Sequence, residues 1–322
     1  MNTSEWLTNY YKLNNSFRKK LVFRMGGDAG FFSEYNNMVL AMIYCLKHGI
    51  RFELYSDFAP FGLRDGWNDF FVPFGNVNRH RINKDYNTRP YVLDHSNETR
   101  IRKLVKYRYI RAAYKFLFNI DYMTQDLWDY HRDCTFKEER FNFPMLNLHD
   151  APLLEVTQKF IKAFWRYNDQ SGPVVTSHIQ SVGLPSDGFI SLHVRAGDKF
   201  VEAKLFDFSE YMKSAMKLSH NRKAFILTDD YTVVEQLKAK YPDWKFYTLC
   251  APTERGYFHH DFIKQDKEFK HQQHLKLFAN MDICANSTTF IGTYSSNPGM
   301  FMGMRIGEER CHCLDFDRWL LW

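Results

Sequence analysis

Short apolar runs alternate with stretches of helical periodicity along this chain, and this alternation restricts the possible folds more than any other feature of the sequence. In the second half, runs at 189–194, 224–228, 246–249 and 289–292 predict strands, with a helical pattern between each strand and the next. A final strand is expected at 311–316. Strands that alternate with helices form parallel sheets in which the helices make the crossovers. The pattern therefore predicts an α/β fold.

A similar unit opens the first half. Strands are predicted at 20–25 and 51–55, and a helix that ends at Gly49 lies between them. The first strand runs into a glycine-rich loop, Gly26-Gly27-Asp28-Ala29-Gly30. A strand, a glycine-rich loop, a helix and a second strand in this order are typical of the start of a doubly wound sheet.

The two alternating regions are separated by residues 170–188, which contain Ser-Gly-Pro and Pro-Ser-Asp-Gly punctuation. We place a domain boundary there, with one domain at 1–180 and the other at 181–322. Two alternating regions of this size predict two Rossmann-like domains that face each other across a cleft. Residues from both domains would then close on a shared ligand.

Composition excludes several classes of protein. Hydrophobic residues make up 45% of the chain, which is enough for packed cores and argues against disorder. The net charge of +6 suits a small anionic ligand such as a nucleotide, but it is too small and too dispersed to indicate nucleic-acid binding. No apolar run is long enough to span a bilayer, and the N-terminus does not resemble a signal peptide. We expect a cytoplasmic protein whose cysteines are reduced, since none forms a Cys-x-x-Cys motif.

The most basic stretch is 100–111, RIRKLVKYRYIR, in which basic residues alternate with apolar ones at helical spacing. A solvated helix face explains this pattern. The alternative is a face that binds a membrane surface or an acceptor. That alternative would place the protein peripherally at the inner face of a membrane.

Polar residues follow the predicted strands of the second half, at the edge where open α/β sheets bind ligands. His193 lies in the strand 189–194, and Arg195-Ala196-Gly197-Asp198-Lys199 follows it. Arginine at this edge suits a phosphate, because its planar guanidinium donates two parallel hydrogen bonds and keeps its charge. A surface salt-bridge cluster is the alternative explanation.

A second polar loop, Thr228-Asp229-Asp230, follows the strand 224–228. We expect Asp230 to cap the next helix. Capping does not explain Asp229, which is placed to accept hydrogen bonds from a ribose or a base.

A third loop, Thr293-Tyr294-Ser295-Ser296-Asn297-Pro298, leads from the strand 289–292 into a helix. Pro298 suits the first helical turn, and Asn297 is the predicted cap. Hydroxyls and backbone N–H groups at a helix N-terminus form an anion site. The Gly26–Gly30 loop of the first half lacks the spacing of a dinucleotide-binding motif.

These loops resemble the motifs of one enzyme family. His-Val-Arg-x-Gly-Asp-Lys at 193–199 is similar to the first motif of the α-1,2-, α-1,6- and protein O-fucosyltransferase superfamily. Thr228-Asp229-Asp230 resembles the second motif of the α-1,6 group, which includes nodulation fucosyltransferases, and 290–296 resembles the third motif. The glycine-rich loop stands where these enzymes place an acceptor-side loop. The resemblance covers 188–306, and 20–55 more weakly.

The resemblance implies a GT-B-like fold and an inverting fucosyltransferase that takes GDP-fucose as donor, with no cofactor and no required metal. Arg195 would hold the β-phosphate as it leaves, and Ser295 and Ser296 would bind the pyrophosphate. The acidic residue that recognises guanine would lie near Asp282, although an ungapped match falls on Asn280. The donor-binding residues implied in this way are His193, Lys199, Asp229, Asp230, Asp282, Ser295, Ser296 and Asn297, and the acceptor-side loop contributes Gly26, Gly27 and Gly30.

An inverting transfer needs a base for the acceptor hydroxyl. Glu202 is the candidate base and Asp198 the second choice, and a surface charge is the alternative for either. The chain departs from the α-1,6 group by having Ala196 where a second arginine is expected, and by placing Glu202 three residues after Lys199 instead of four. The acceptor class therefore stays open.

The missing signal peptide favours a bacterial enzyme of polysaccharide biosynthesis that acts on a glycan or a lipid-linked oligosaccharide. The alternatives are a glycosyltransferase with another sugar-nucleotide donor and a non-catalytic module that binds a glycan or a nucleotide. Two further motifs have simpler explanations than metal binding. We expect Asp315-Phe316-Asp317 to be a surface turn, and His271 and His274 to belong to a solvated face or a lid. The aromatic residues Trp67, Phe70 and Phe71 either stack on sugars or pack in the core.

Overall fold

The computed structural model describes residues 1–27, 29–90, 99–195, 206–256, 259–262 and 264–319. The chain divides into two compact units, Met1–Asn168 and Asp169–Leu320. The division therefore precedes the helix Ser171–Ser181, whereas the sequence analysis places it at 180/181. This helix packs against the long helix Lys267–Asn286 of the second unit.

The first unit combines helices with a small parallel sheet and a hairpin. Its helices are α1 (Thr3–Ser16), α2 (Phe31–Lys47), α3 (Ile82–Tyr86), α4 (Arg100–Leu104), α5 (Arg111–Leu117), α6 (Thr124–Leu127), α7 (Cys134–Glu138) and α8 (Leu153–Phe164), with a π-helical stretch, Val105–Ile110, between α4 and α5. Its strands are β1 (Lys19–Arg24), β2 (Ile50–Tyr55), β3 (Tyr122–Met123), β4 (Arg140–Phe143) and β5 (Leu148–Pro152).

The parallel sheet of the first unit has the order β2-β1-β3, and β4 and β5 form an antiparallel pair. The central strand β1 buries Leu21, Val22 and Phe23 completely. One edge of the sheet is closed by α1, because the side-chain amide of Asn14 donates to the Phe52 carbonyl at 3.0 Å and accepts from the Phe52 N–H at 2.8 Å. A side chain thus supplies the pairing that a further strand would give.

Aromatic residues form the core of the first unit. Trp67, Phe70 and Phe71 are almost fully buried. The rings of Trp67 and Phe71 stack at a centroid distance of 4.5 Å, and Tyr35 stacks on the other side at 6.1 Å from Trp67. Of the two explanations offered by the sequence, core packing is confirmed, and stacking of these three side chains on sugars is wrong.

The second unit is a parallel α/β sheet with helices. Its helices are α9 (Ser171–Ser181), α10 (Phe208–Leu218), α11 (Tyr231–Lys240), α12 (His259–Phe262), α13 (Lys267–Asn286) and α14 (Asn297–Ile306), and its strands are β6 (Ile190–His193), β7 (Lys223–Leu227), β8 (Lys245–Tyr247), β9 (Phe290–Gly292) and β10 (Cys311–Cys313). All pairs are parallel, in the order β10-β9-β6-β7-β8. The predicted α/β class is confirmed.

The central strand of the second unit, β6, is buried on both faces. Leu192 packs with Met212 of α10 and Ile226 of β7 in one hydrophobic cluster that also includes Val234 of α11. Burial on both faces explains why the strand reads as a continuous apolar run in the sequence. Among the described residues, no helix combines the length and the apolar character needed to cross a bilayer.

The glycine-rich loop of the first unit depends on Gly26. Its φ is +87°, in the left-handed region, and a Cβ there would lie 2.3 Å from the Ala59 Cβ. Gly27 has neither constraint, since the nearest heavy atom to its Cβ position is the Glu34 Oε1 at 3.7 Å. The turn from β1 into α2 therefore requires glycine at one position and tolerates a side chain at the next.

We expect Gly26→Ala to lower the free energy of unfolding by about 2 kcal/mol or more, because the alanine is strained by its φ and also clashes with Ala59. The matched variant Gly27→Ala should change it by less than about 0.5 kcal/mol. Denaturant unfolding of both variants measures the difference, and equal stability would show that the turn does not require glycine at position 26.

Candidate functional site

The candidate site lies at one edge of the parallel sheet of the second unit. Because all strands of this sheet run in the same direction, the residues that follow them emerge at the same edge. Arg195 follows β6, Thr228–Asp230 follow β7, Thr293–Asn297 follow β9, and Asp315 follows β10. Arg195 and the polar loops after β7 and β9 are therefore brought to one edge.

His193 is the last residue of β6 and is buried. Burial, together with the positive charge of Arg195, lowers the pKa of His193 to about 3. The imidazole is therefore neutral near pH 7. Its ring lies beside Phe290 of β9, with a centroid distance of 6.3 Å, and Arg195 lies just past the end of the strand, partly buried.

Ser296 builds the loop that follows β9. Its hydroxyl donates to the Thr293 carbonyl at 2.8 Å and accepts from the Gly299 N–H at 3.0 Å, which makes Ser296 the cap of α14. The prediction that Asn297 caps this helix is wrong. Gly299 is needed here, because a Cβ would lie 1.9 Å from the Thr293 carbonyl oxygen.

Because of this arrangement, the groups of the loop that can bind an anion differ from those that the sequence predicted. The buried Ser296 hydroxyl is engaged inside the loop, whereas Ser295 is partly exposed and Asn297 is exposed. Asn297 is the first residue of α14, at the positive end of the helix dipole, whereas Pro298 has no N–H and the Gly299 N–H is bound by Ser296. Ser295 and the N-terminus of α14 are therefore the groups of this loop best placed for an anion.

Asp315 is a site residue that the sequence analysis missed. Its carboxylate accepts the backbone N–H of Tyr294 and that of Ser295, each at 2.8 Å. Asp315 lies in a bend and is partly exposed, and Asp317 is exposed, as expected of a surface turn, but the contact of Asp315 with the neighbouring loop was not predicted. Its position after the last strand was the available signal, since this places Asp315 at the same edge of the sheet as the other loops.

Asp315 and Arg195 also share a neighbour. Burial and the negative charge of Asp315 raise the pKa of Tyr211 on α10, and the positive charge of Arg195 opposes that increase. The two opposite charges thus both lie close to one buried phenol. They connect the loop after β6 with the loop after β9.

The Thr228–Asp230 loop has the predicted cap. Asp230 caps α11, and its Oδ1 accepts the Thr232 N–H at 2.9 Å. The Asp229 carbonyl accepts the Gly256 N–H at 2.9 Å. Burial, with added negative charge from Glu254 and Asp229, raises the pKa of the Cys250 thiol to about 12, so Asp229 lies near this thiol.

Asp282 is not brought to this edge. Helix α13 runs back toward the start of β9, so its last turns lie at the opposite edge of the sheet. There Asp282 pairs with Arg305 at 2.7 Å, and Asn280 donates to the Lys276 carbonyl at 2.9 Å. The structure therefore does not support Asp282 as a group that reads guanine at this edge.

The histidines of α13 are buried rather than solvated. His271 and His274 are both about nine-tenths buried, and the His274 Nδ1 lies 2.7 Å from the Lys270 carbonyl oxygen. Burial lowers the pKa of His274 to about 4. The predicted solvated face or lid is wrong for these two residues. Within the described part of the chain, no group of three or more His, Cys, Asp or Glu side chains is arranged to hold a metal ion.

Three predicted residues, Asp198, Lys199 and Glu202, lie outside the described residues. Their roles, including that of Glu202 or Asp198 as the base, stay predictions. Gly26, Gly27 and Gly30 form the turn between β1 and α2 in the first unit, and Gly30 is the residue before α2 begins.

The buried histidine predicts a pH dependence of stability. Between about pH 6.5 and pH 3 the unfolded chain binds a proton at His193 that the folded protein does not bind, so the free energy of unfolding falls as the pH falls. His193→Gln should reduce this slope by up to about 1.4 kcal/mol per pH unit. His220→Gln, at an exposed position, should leave the slope as in wild type. Urea unfolding at several pH values measures how the free energy of unfolding changes with pH. An unchanged slope in His193→Gln would mean that the folded protein protonates this histidine.

Comparison with known proteins supports the motifs and the fold. Residues 139–255 match the family model of the α-(1,6)-fucosyltransferase N- and catalytic domains. The match includes Arg195 and Thr228–Asp230, and it leaves out the loop after β9. The sequence as a whole matches no curated protein.

Solved structures share the fold. The crystal structure of NodZ α-1,6-fucosyltransferase soaked with GDP-fucose has a TM-score of 0.53 and 15% identity, over 93% of this chain and 95% of the other. The structure of fucosyltransferase NodZ from Bradyrhizobium has a TM-score of 0.52 and 14% identity, over 93% and 96%. NodZ co-crystallised with GDP has a TM-score of 0.51 and 13% identity, over 93% and 95%. At these identities the likeness concerns the fold, and it confirms the predicted GT-B-like class.

The family match and the shared fold agree with the motifs at Arg195 and Thr228–Asp230. They confirm the predicted resemblance: this chain is similar to the fucosyltransferase superfamily in sequence and in fold.

Proposed function

We propose that this protein is an inverting glycosyltransferase that moves fucose from GDP-fucose to a hydroxyl group of a glycan. The observation that supports it best is the pairing of β6 with β9, which brings Arg195 and the N-terminus of α14 to neighbouring positions of one sheet edge. Adjacent strands lie about 5 Å apart, so loops that leave them can contact one diphosphate. The similar NodZ fucosyltransferase was soaked with GDP-fucose in one crystal structure and co-crystallised with GDP in another, which supports this donor.

The chemistry depends on the charge that develops on the leaving diphosphate. Arg195 neutralises that charge, and the Ser295 hydroxyl and the dipole of α14 stabilise it further. His193 stays neutral near pH 7, so it can form hydrogen bonds to the donor without adding a charge. Such fixed donors lower the barrier because they are oriented before the reaction begins.

Inversion requires the acceptor hydroxyl to attack in line with the leaving diphosphate. A carboxylate that removes its proton contributes about 10²–10⁴ in rate. Glu202, or Asp198 in second place, is proposed for this step. The proposed acceptor is a glycan or a lipid-linked oligosaccharide of a surface polysaccharide. The Gly26–Gly30 loop is proposed to lie on the acceptor side of the site.

We expect Arg195→Ala to reduce kcat/KM for transfer from labelled GDP-fucose by about 10²–10³, since it removes the cation at the leaving group. Arg195→Lys should retain part of the activity, because it keeps the charge and loses the bidentate geometry. Lys217→Ala, an exposed cation on α10, is the matched control and should behave as wild type.

The same assay separates the candidate functions. Wild-type turnover by Arg195→Ala would remove the proposed role of this arginine. Transfer from another sugar nucleotide but not from GDP-fucose would identify a different donor. Binding of GDP without transfer or hydrolysis would indicate a binding module.

Asp315 is proposed to position the diphosphate loop. Its two hydrogen bonds to Tyr294 and Ser295 hold the backbone that leads into α14. A carboxylate can accept both N–H groups, whereas an amide in its place offers one acceptor and turns a donor toward the second N–H. The loop would then lose its fixed geometry and part of its affinity for phosphate.

We expect Asp315→Asn to weaken GDP binding about tenfold or more and to weaken GMP binding less, because the loop is proposed to hold the diphosphate. Asp317→Asn, exposed and two residues away, should bind both nucleotides as wild type does. Isothermal titration measures the affinities. An equal loss for GDP and GMP would assign Asp315 a purely structural role, and no loss would contradict its contribution to the loop.

A further inference from the structure

The residues from 100 to 117 turn an apolar face to solvent. This segment, called here the 100–117 segment, comprises α4, the π-helical stretch and α5. No residue of Val105–Ile110 or Arg111–Leu117 is buried. Its exposed large hydrophobic side chains are Ile101 at 76%, Val105 at 45%, Tyr109 at 62%, Phe116 at 86% and Leu117 at 69%. Ile101, Val105 and Tyr109 recur every four residues, which places them along one side of a helix.

Another side of the same segment, which carries both charged and aromatic residues, faces the protein. Arg111 and Lys115 both bind Asp126, at 2.9 Å and 3.0 Å. Tyr114 lies between the rings of Tyr86 and Phe118. A surface helix normally buries its apolar stripe and exposes its charges. The 100–117 segment has, besides the side that packs on the first unit, an apolar stripe of Ile101, Val105 and Tyr109 that the core of the first unit does not cover.

The charge of the segment is strongly positive. It contains seven Lys and Arg residues, at 100, 102, 103, 106, 108, 111 and 115, and no Asp or Glu, so its formal charge is +7. The whole chain has a net charge of +6, and the remaining residues therefore sum to −1. Arg102 and Arg108 are exposed beside the apolar stripe. The positive charge of this protein is concentrated where its apolar surface is exposed.

We propose that the 100–117 segment docks the protein on a membrane surface that contains anionic lipid. Ile101, Val105 and Phe116 would enter the boundary between headgroups and acyl chains, and the flanking arginines would bind lipid phosphates. A second copy of this chain is a poor partner, because it would place a second segment with a formal charge of +7 against the first. A nucleic acid would neutralise the positive charge of the segment, but it would leave the aliphatic side chains exposed to water.

Docking in this way brings the first unit to the membrane, where an acceptor carried on a lipid would be found. The inference itself does not require fucose transfer, since it depends only on the exposure and charge of this segment. It also differs from a membrane span, because the segment would lie in the plane of the interface.

Vesicle sedimentation tests the proposal. Wild-type protein should sediment with vesicles that contain about 30 mol% phosphatidylglycerol and much less with phosphatidylcholine alone, and raising the salt to about 0.5 M should weaken the binding. Ile101→Asn/Phe116→Asn should reduce the bound fraction at anionic vesicles about tenfold or more. Arg102→Gln/Arg108→Gln should reduce it as well and lower its salt dependence.

The matched control is Met216→Asn/Leu218→Asn on α10 of the second unit, where the two side chains are 49% and 44% exposed. It should bind vesicles as wild type does, and all variants should keep the wild-type melting temperature. Failure of the wild type to sediment, or wild-type binding by Ile101→Asn/Phe116→Asn, would overturn the proposal. A wild-type dimer that this variant dissociates would overturn it too, by showing that a second copy covers the face.

Discussion

The parallel pairing of β6 with β9 determines the candidate site. Its register joins Ser191 to Phe290 and Leu192 to Ile291, and the Ser191 N–H bonds the Thr289 carbonyl at 2.9 Å. Because the two strands are adjacent and run in the same direction, Arg195 and the start of α14 must emerge side by side. A shift of this register by one residue would turn His193 to the other face of the sheet.

Once the strands are paired, local contacts shape the anion-binding loop. Ser296 starts α14 with its hydroxyl, Gly299 allows the Thr293 carbonyl to approach, and Asp315 holds two backbone N–H groups from the neighbouring strand. The positive charge of Arg195 faces the same region as the negative charge of Asp315. The two side chains therefore act on the pKa of Tyr211 with opposite sign.

The central strands β6, β7 and β9 were predictable because their apolar runs are buried on both faces, and α10 and α11 begin at polar caps, whereas helix Ser171–Ser181 lies within 170–188 and was not predicted. The predicted strand 224–228 differs from the observed Lys223–Leu227 by one residue at each end. Asp315 was missed because a lone carboxylate after a short strand has no sequence signal of its own, and its role depends on backbone groups some twenty residues earlier. Helix α1 was not predicted, although Trp6 and Tyr10 are buried at helical spacing, and the contact of Asn14 with the sheet has no signal in the apolar pattern.

The 100–117 segment shows the same limit of sequence patterns. Its periodicity and basic charge predicted a helix, and the structure has helical turns there. Periodicity alone does not say whether the apolar side faces the core or the solvent, because that depends on partners elsewhere in the chain. Here Asp126 binds Arg111 and Lys115, and the side of the segment that carries Ile101, Val105 and Tyr109 is left exposed.

The most direct test of the account is a crystal structure of the protein with GDP. We predict that a phosphate oxygen lies within about 3 Å of the Arg195 guanidinium and that the same diphosphate contacts Ser295 or Asn297 at the start of α14. A diphosphate bound away from the ends of β6 and β9 would contradict the account.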